Sequence, residues 1–333
     1  SITINGARSL SMDAYRHCEG NFNALTGTFN LAAYDANTDE VRMEFDYIVH
    51  GEPKSKPGNE LMVRGTDTKA FEPAYSYEMK PETIGEVVNS GSISLSDILL
   101  KTGGNFSSAT QLQFGQNDIS NIGAKKIGNG LTLDDVRLYT VQNDVQLLEV
   151  VSPENLACGV LGQVPLIVKI RNGVTQVQSN IAVSYRFDNG SVVTETLSSV
   201  AGKETVDFTF SKLLDIATQG NHVLDVWIAA SGDSYKKNDS IIGYNTRNQP
   251  LISQFPYFEN FESGDGYWYT DGINNSWEYG TPSAEKINAA YSGQKAWVTN
   301  LDGKYNDNEH SYLYSPCFDL STMERPAISS RIA

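Results

Sequence analysis

The chain has 333 residues, 40 acidic against 25 basic, and a formal net charge of -15. This length suits two or three domains of ordinary size. The charge argues against binding along a nucleic-acid backbone, where a basic surface is the usual footprint, and disfavours docking on an anionic membrane. No apolar run approaches the roughly 18 residues of a spanning helix, so no membrane insertion is expected.

The same phrase occurs at both ends. Asn5-Gly6-Ala7-Arg8-Ser9-Leu10, then Thr28-Phe29-Asn30-Leu31, then Val41-Arg42-Met43 are echoed by Ser292-Gly293-Gln294-Lys295-Ala296-Trp297, Cys317-Phe318-Asp319-Leu320 and Pro326-Ala327-Ile328. Self-similarity at this distance predicts two copies of one module around a different one. The first copy is expected to lack its opening and the second its close, as in a slice of a longer modular protein.

Taken in chain order, the first segment covers 1–141. Val41, Met43, Phe45 and Tyr47 alternate with Arg42, Glu44 and Asp46, as in a half-buried strand. One short helix is predicted over Leu95 to Leu100, capped by Ser94 or Ser96; a turn would also fit. In the closing strand Leu131 and Leu133 are odd-numbered while Val136 and Leu138 are even-numbered. The inward face must therefore change parity across Asp134-Asp135, which a β-bulge allows. A bulge carrying two carboxylates is a candidate cation site or a plain solvent-facing rim.

The second segment covers 142–250. Leu166, Val168 and Ile170 form one stripe, and Ile181, Val183, Tyr185 and Phe187 another. Asn189-Gly190 between Phe187 and Val192 predicts a hairpin with a type I′ turn. About seven short strands in about 100 residues indicate an immunoglobulin-like sandwich. The third segment, 251–333, opens on Phe255-Pro256-Tyr257-Phe258-Glu259-Asn260-Phe261-Glu262. Its loops around Asn300-Leu301-Asp302-Gly303 and Asn306-Asp307-Asn308-Glu309 have the hard oxygen donors that suit calcium, or are polar turns. Tyr267, Trp268, Tyr269 and Trp277 could form a platform for sugar rings or pack in a core.

Cys18, Cys158 and Cys317 are far apart and form no CxxC pair, so zinc-ribbon and thioredoxin-like chemistry fall away. An odd count leaves a thiol free or paired elsewhere, and small buried cysteines are expected rather than a disulfide scaffold. No charged-then-apolar leader follows Ser1, so any export signal is expected upstream or removed. There is no G-x-S-x-G elbow, and His17, His50, His222 and His310 show no metalloprotease spacing. His17 beside Cys18 would face the opposite side of a strand. Gly123 to Gly128 lacks the Lys-Ser/Thr pair of a phosphate loop. The expectation is no enzyme activity.

Several third-segment phrases occur in a familiar order: Trp277-Glu278-Tyr279-Gly280-Thr281-Pro282, Ala290-Tyr291-Ser292-Gly293, Ala296-Trp297-Val298-Thr299-Asn300-Leu301 and Tyr314-Ser315-Pro316-Cys317-Phe318-Asp319-Leu320. They resemble the jelly-roll modules of large secreted proteins of Bacteroidota, similar to gingipain-adhesin domains and more distantly to MAM domains. The first segment resembles the remainder of the same module, and the second resembles CARDB-type immunoglobulin-like modules. The resemblance implies an all-β chain: a partial jelly roll, an immunoglobulin-like sandwich and a second partial jelly roll. It also implies export by the type IX route to the cell surface or medium. Structural calcium would sit on Asp134 and Asp135 in the first segment and on Glu259 and Glu262 in the third, with Asp302 as a further candidate. Asp239-Ser240-Ile241 matches the short O-glycosylation pattern of such proteins. The expected function is a non-catalytic binding and spacer segment of a surface adhesin. The alternative is an accessory substrate- or carbohydrate-binding region of a secreted protease or glycan hydrolase. Expected partners are neighbouring modules of the same chain, a surface glycan or protein, and another chain adding a strand at an open sheet edge.

Overall fold

A computed structural model describes residues 4–13, 22–50, 58–80, 83–117 and 130–331. His17, Cys18 and residues 123–128 lie outside them. The described chain is all-β, with strands that are nearly all antiparallel and one α-helix.

Two sheets carry the first core. In one, Gly130–Val141 lies between Leu10–Asp13 and Glu40–His50, whose far side takes Val88–Asn89 and Ile93–Ser94. The other orders Phe22–Phe29, Thr110–Asn117, Glu60–Arg64 and Glu72–Ser76. Val41, Met43, Phe45 and Tyr47 bury as the alternation predicts, against Leu61, Val63, Leu112 and Phe114. Phe45 and Phe114 meet edge to face, 5.2 Å between ring centres, a favoured aromatic geometry. His50 ends its strand. The helix Leu95–Lys101 starts at Ser94, whose hydroxyl accepts from the Asp97 amide at 3.1 Å and so satisfies a free donor of the first turn. Ser96 is used differently. Its hydroxyl accepts from Val41 N and donates to the Asp39 carbonyl, tying the helix to the central strand.

Alternation predicts a polar outer face for Glu40–His50, yet Arg42 and Glu44 are buried too. The reason is the second segment, which packs there. Its strands form a three-stranded sheet, Val145–Ser152, Ile167–Asn172 and Thr205–Thr209. A second sheet orders Leu156–Cys158, Ser240–Gln249, Gly220–Ala229, Gln178–Phe187 and Val193–Val200. A separate apolar cluster, including Leu166, Val168, Ile170, Ile181, Val183 and Tyr185, fills the space between them. The type I′ turn sits one residue earlier than expected. Asp188 and Asn189 have positive φ, and Gly190 N closes on the Phe187 carbonyl. Asp188 is held there because its carboxylate accepts from Val223 N at 2.9 Å and bonds His222 at 2.6 Å.

The first and second segments meet through ions. Arg42, 1% exposed, donates from Nε to Glu40 (2.7 Å) and from Nη2 to Asp144 (2.8 Å). Lys203 pairs with Glu40 and with Asp97 (2.9 Å), and Arg171 pairs with Asp97. Three cations thus face three carboxylates. Asn172-Gly173 is built into this contact. A Cβ on Gly173 would fall 2.3 Å from Asp144 Oδ2 and 2.5 Å from Arg42 Nη2. Its carbonyl accepts from Lys203 Nζ at 2.9 Å.

Residues 251–331 pair as three two-stranded sheets: Leu251–Ile252 with Cys317–Phe318, Tyr269–Ile273 with His310–Tyr314, and Trp277–Gly280 with Ala296–Thr299. Contrary to the expectation of buried thiols, Cys158 and Cys317 form a disulfide that fastens the second segment to the third. Its partners are 159 residues apart, so local sequence carries no sign of the pairing.

His222 adds a pH dependence. Burial is the largest influence and would lower its pKa. The bonds to Asp188 and the Thr218 carbonyl, with the charges of Asp188 and Asp215, outweigh it and raise the pKa. Both ring nitrogens face acceptors, so the imidazolium satisfies both. A raised folded pKa stabilises fully below the unfolded value of about 6.5 and is lost as pH rises through the folded value. His222→Gln is therefore expected to lower the urea midpoint more at pH about 5.5 than at pH about 8.5. An equal loss at both would contradict the assignment.

Candidate binding and cation sites

The acidic pair of the first segment lies on the bulge that parity required. Glu44 pairs with Arg137 and Asp46 with Asp134, so Asp135 and Val136 together oppose Phe45. Asp135 takes φ 48° there. Leu131 and Leu133 face the core and Leu138 packs on it, whereas Val136 stays exposed. Asp134 Oδ2 accepts from Ser9 Oγ (2.7 Å) and Asn5 N (3.0 Å), and Oδ1 accepts from Asp135 N. These bonds, the Ser9 hydroxyl first, hold its carboxyl below the usual range. Asn5 Nδ2 donates to Asp135 Oδ2 at 3.0 Å.

Glu262 plays the matching part in the third segment. Its Oε1 accepts from Gln294 N and Lys295 N, 2.9 Å each, and these donors lower its pKa. A Cβ on Gly293 would meet that oxygen at 2.3 Å, and Gly293 has positive φ, so both space and backbone call for glycine. The loop 292–296 is the echo of 5–9. Each copy of the repeated phrase therefore donates hydrogen bonds to a carboxylate, Asp134 in one and Glu262 in the other. Asn5 and Ser9 lie in the repeated phrase, but nothing local marks them as partners of the acidic pair.

Glu259 accepts from Phe261 N (2.6 Å) and Asp302 N donates to Asn300 Oδ1 (3.2 Å). No hydrogen bond or ion pair among the described residues joins Glu259, Glu262 and Asp302 to one another or to Asp134 and Asp135. Calcium needs six to eight oxygens. The bulge offers two carboxylates, and among the described residues no three acidic, histidine or cysteine groups converge. Glu309 acts as a tie between loops, accepting from Ser276 N (3.0 Å), Ser276 Oγ (2.6 Å) and Asn306 N (3.3 Å). Ser240 is exposed at the start of its strand, beside Asp239, whose carboxyl burial and the charge of Asp233 push up to about 6.

Of the four aromatic candidates, Trp268 and Trp277 are half-buried, and Trp268 packs edge-on against Phe261 at 5.6 Å. Tyr267 is exposed. Only Tyr269 joins an open aromatic row. It stacks on Tyr314 (4.9 Å, 14°), Tyr314 neighbours Tyr312 (6.0 Å, 47°), and Tyr312 neighbours His310 (5.3 Å). Arg247 of the second segment packs over the Tyr269 ring at 4.2 Å, a cation–π contact. The alternation His310-Ser311-Tyr312-Leu313-Tyr314 was the available signal for this row.

No family model matches the chain. It is 27% identical over 155 residues to Bacillopeptidase F of Bacillus subtilis (strain 168), covering 46% of this chain and 10% of that protein. The chain therefore spans about a tenth of the length of that relative. The match is to a Bacillus protein, and neither Bacteroidota origin nor type IX export is supported by it. Among solved structures, Amycolatopsis orientalis exo-chitosanase CsxA is 14% identical with a TM-score of 0.29, over 76% of this chain and 26% of that one. A GH2 beta-galacturonidase from Eisenbergiella tayi, bound to glycerol, is 10% identical with a TM-score of 0.31, over 80% and 40%. Likenesses this distant define neither fold nor function.

Proposed function

We propose that this chain is a non-catalytic accessory region of a larger exported peptidase, whose β-sandwiches hold substrate near a catalytic domain elsewhere in the protein. The match to Bacillopeptidase F carries this reading, because a piece covering a tenth of a peptidase is more readily an accessory region than a whole activity. The Cys158–Cys317 disulfide supports an oxidising, extracellular setting. Adhesion without an attached enzyme, the first expectation from resemblance, has no comparable match behind it.

The purified chain should hydrolyse casein and fluorogenic peptides only at background. Deleting it from the parent protein should leave turnover of a small peptide intact and reduce turnover of a protein substrate several-fold. Turnover by the chain itself, or an equal loss on both substrates, would sink the proposal.

A further inference from the structure

The row built on Tyr269 occupies one face of a strand pair. Register sets Tyr269 opposite Tyr314, Asp271 opposite Tyr312 and Ile273 opposite His310. Directly opposed residues lie on the same side of a sheet, so all six share this face. Tyr269 and Tyr314 are nearly parallel and pinned at one end by Arg247, so they offer mainly ring edges. Tyr312 is turned 47° from Tyr314 and is 49% exposed, so about half of the residue is open to solvent. A 2.7 Å hydrogen bond between Tyr312 OH and His310 Nε2 fixes that tilt. Asp271 places a carboxylate directly across from the open ring.

We propose that this face binds a glycan chain that carries protonated amino sugars. The open tyrosine face accepts the apolar C–H side of a sugar ring. The same face and the carboxylate across from it both attract an ammonium group, the first through the ring quadrupole and the second through charge. Acidic side chains outnumber basic ones over residues 251–333, and the whole chain carries -15. That field attracts a cationic glycan and repels an anionic one. A purely apolar partner would strand the Asp271 carboxylate. The inference goes beyond the peptidase reading above and does not depend on it.

Calorimetric titration of the 333-residue chain with a glucosamine hexamer, cellohexaose and a galacturonate hexamer tests it. The glucosamine hexamer should bind best and the galacturonate least. Tyr312→Ala should weaken glucosamine-hexamer binding about tenfold without changing the circular-dichroism spectrum. Asp271→Asn should erase the preference over cellohexaose. No binding of the glucosamine hexamer overturns the proposal. So does binding that survives Tyr312→Ala and vanishes with added salt, since that reports charge alone. A dimer that protects Tyr312 from solvent would assign the face to a second copy instead. Each of these failures leaves the peptidase deletion result unaffected, so the two proposals fail separately.

Discussion

Arg42→Met is expected to destabilise the chain by about 3–5 kcal/mol, the usual cost of removing one member of a buried ion pair. Methionine keeps much of the volume, so the loss is one of charge. Arg42 is matched to Glu40 and Asp144, both nearly fully buried. Burial is the largest influence on its guanidinium and opposes the charge, yet the bonds to Asp144 and Glu40 prevail and raise its pKa. Without Arg42, two cations would face three carboxylates, of which Glu40 and Asp144 are buried. Urea denaturation followed by tryptophan fluorescence and circular dichroism reads the loss. Adding Asp144→Asn to Arg42→Met should restore part of it by removing the unmatched charge. A single variant within about 0.5 kcal/mol of the parent would mean that the cluster contributes no more than a surface pair.

Cys317→Ser should loosen the third segment without touching the first core. A cross-link closing 159 residues limits the unfolded chain by about 5 kcal/mol in the chain-entropy view. Residues 251–331 contribute no member to either apolar cluster. Besides the disulfide, their ties to the second segment include the Cys317 N–H bond to the Pro250 carbonyl and the Arg247–Tyr269 contact. Limited proteolysis of Cys317→Ser, or of the reduced parent, should cut first within 251–331 while a fragment ending near Gln249 persists. Cleavage at the parent's rate would refute this dependence on the bridge.

Local pattern predicted much of this architecture, and its failures have a common cause. The stripes Val41 to Tyr47 and Ile181 to Tyr185, the Ser94 cap and the Asp134–Asp135 bulge each depend on a few neighbouring residues, and each appears in the structure. Arg42 looked like an outward residue because alternation says which side a chain faces, but not what will cover that side. Cys158 and Cys317 lacked any local mark of partnership. The acidic pair was visible, but its partners Asn5 and Ser9 lie about 130 residues away. Tyr312 and Tyr314 carry no local mark of a site, because Tyr269 meets them only through strand pairing.

The disulfide also decides how the chain would bear tension. A pull applied to its two ends, as in flowing fluid, reaches Cys158 and crosses directly to Cys317. Nearly half the contour length, including most of the second sandwich, lies off that load path. Those strands can stay folded while the stretch ahead of Cys158, with Arg42 and Asp144, carries the load.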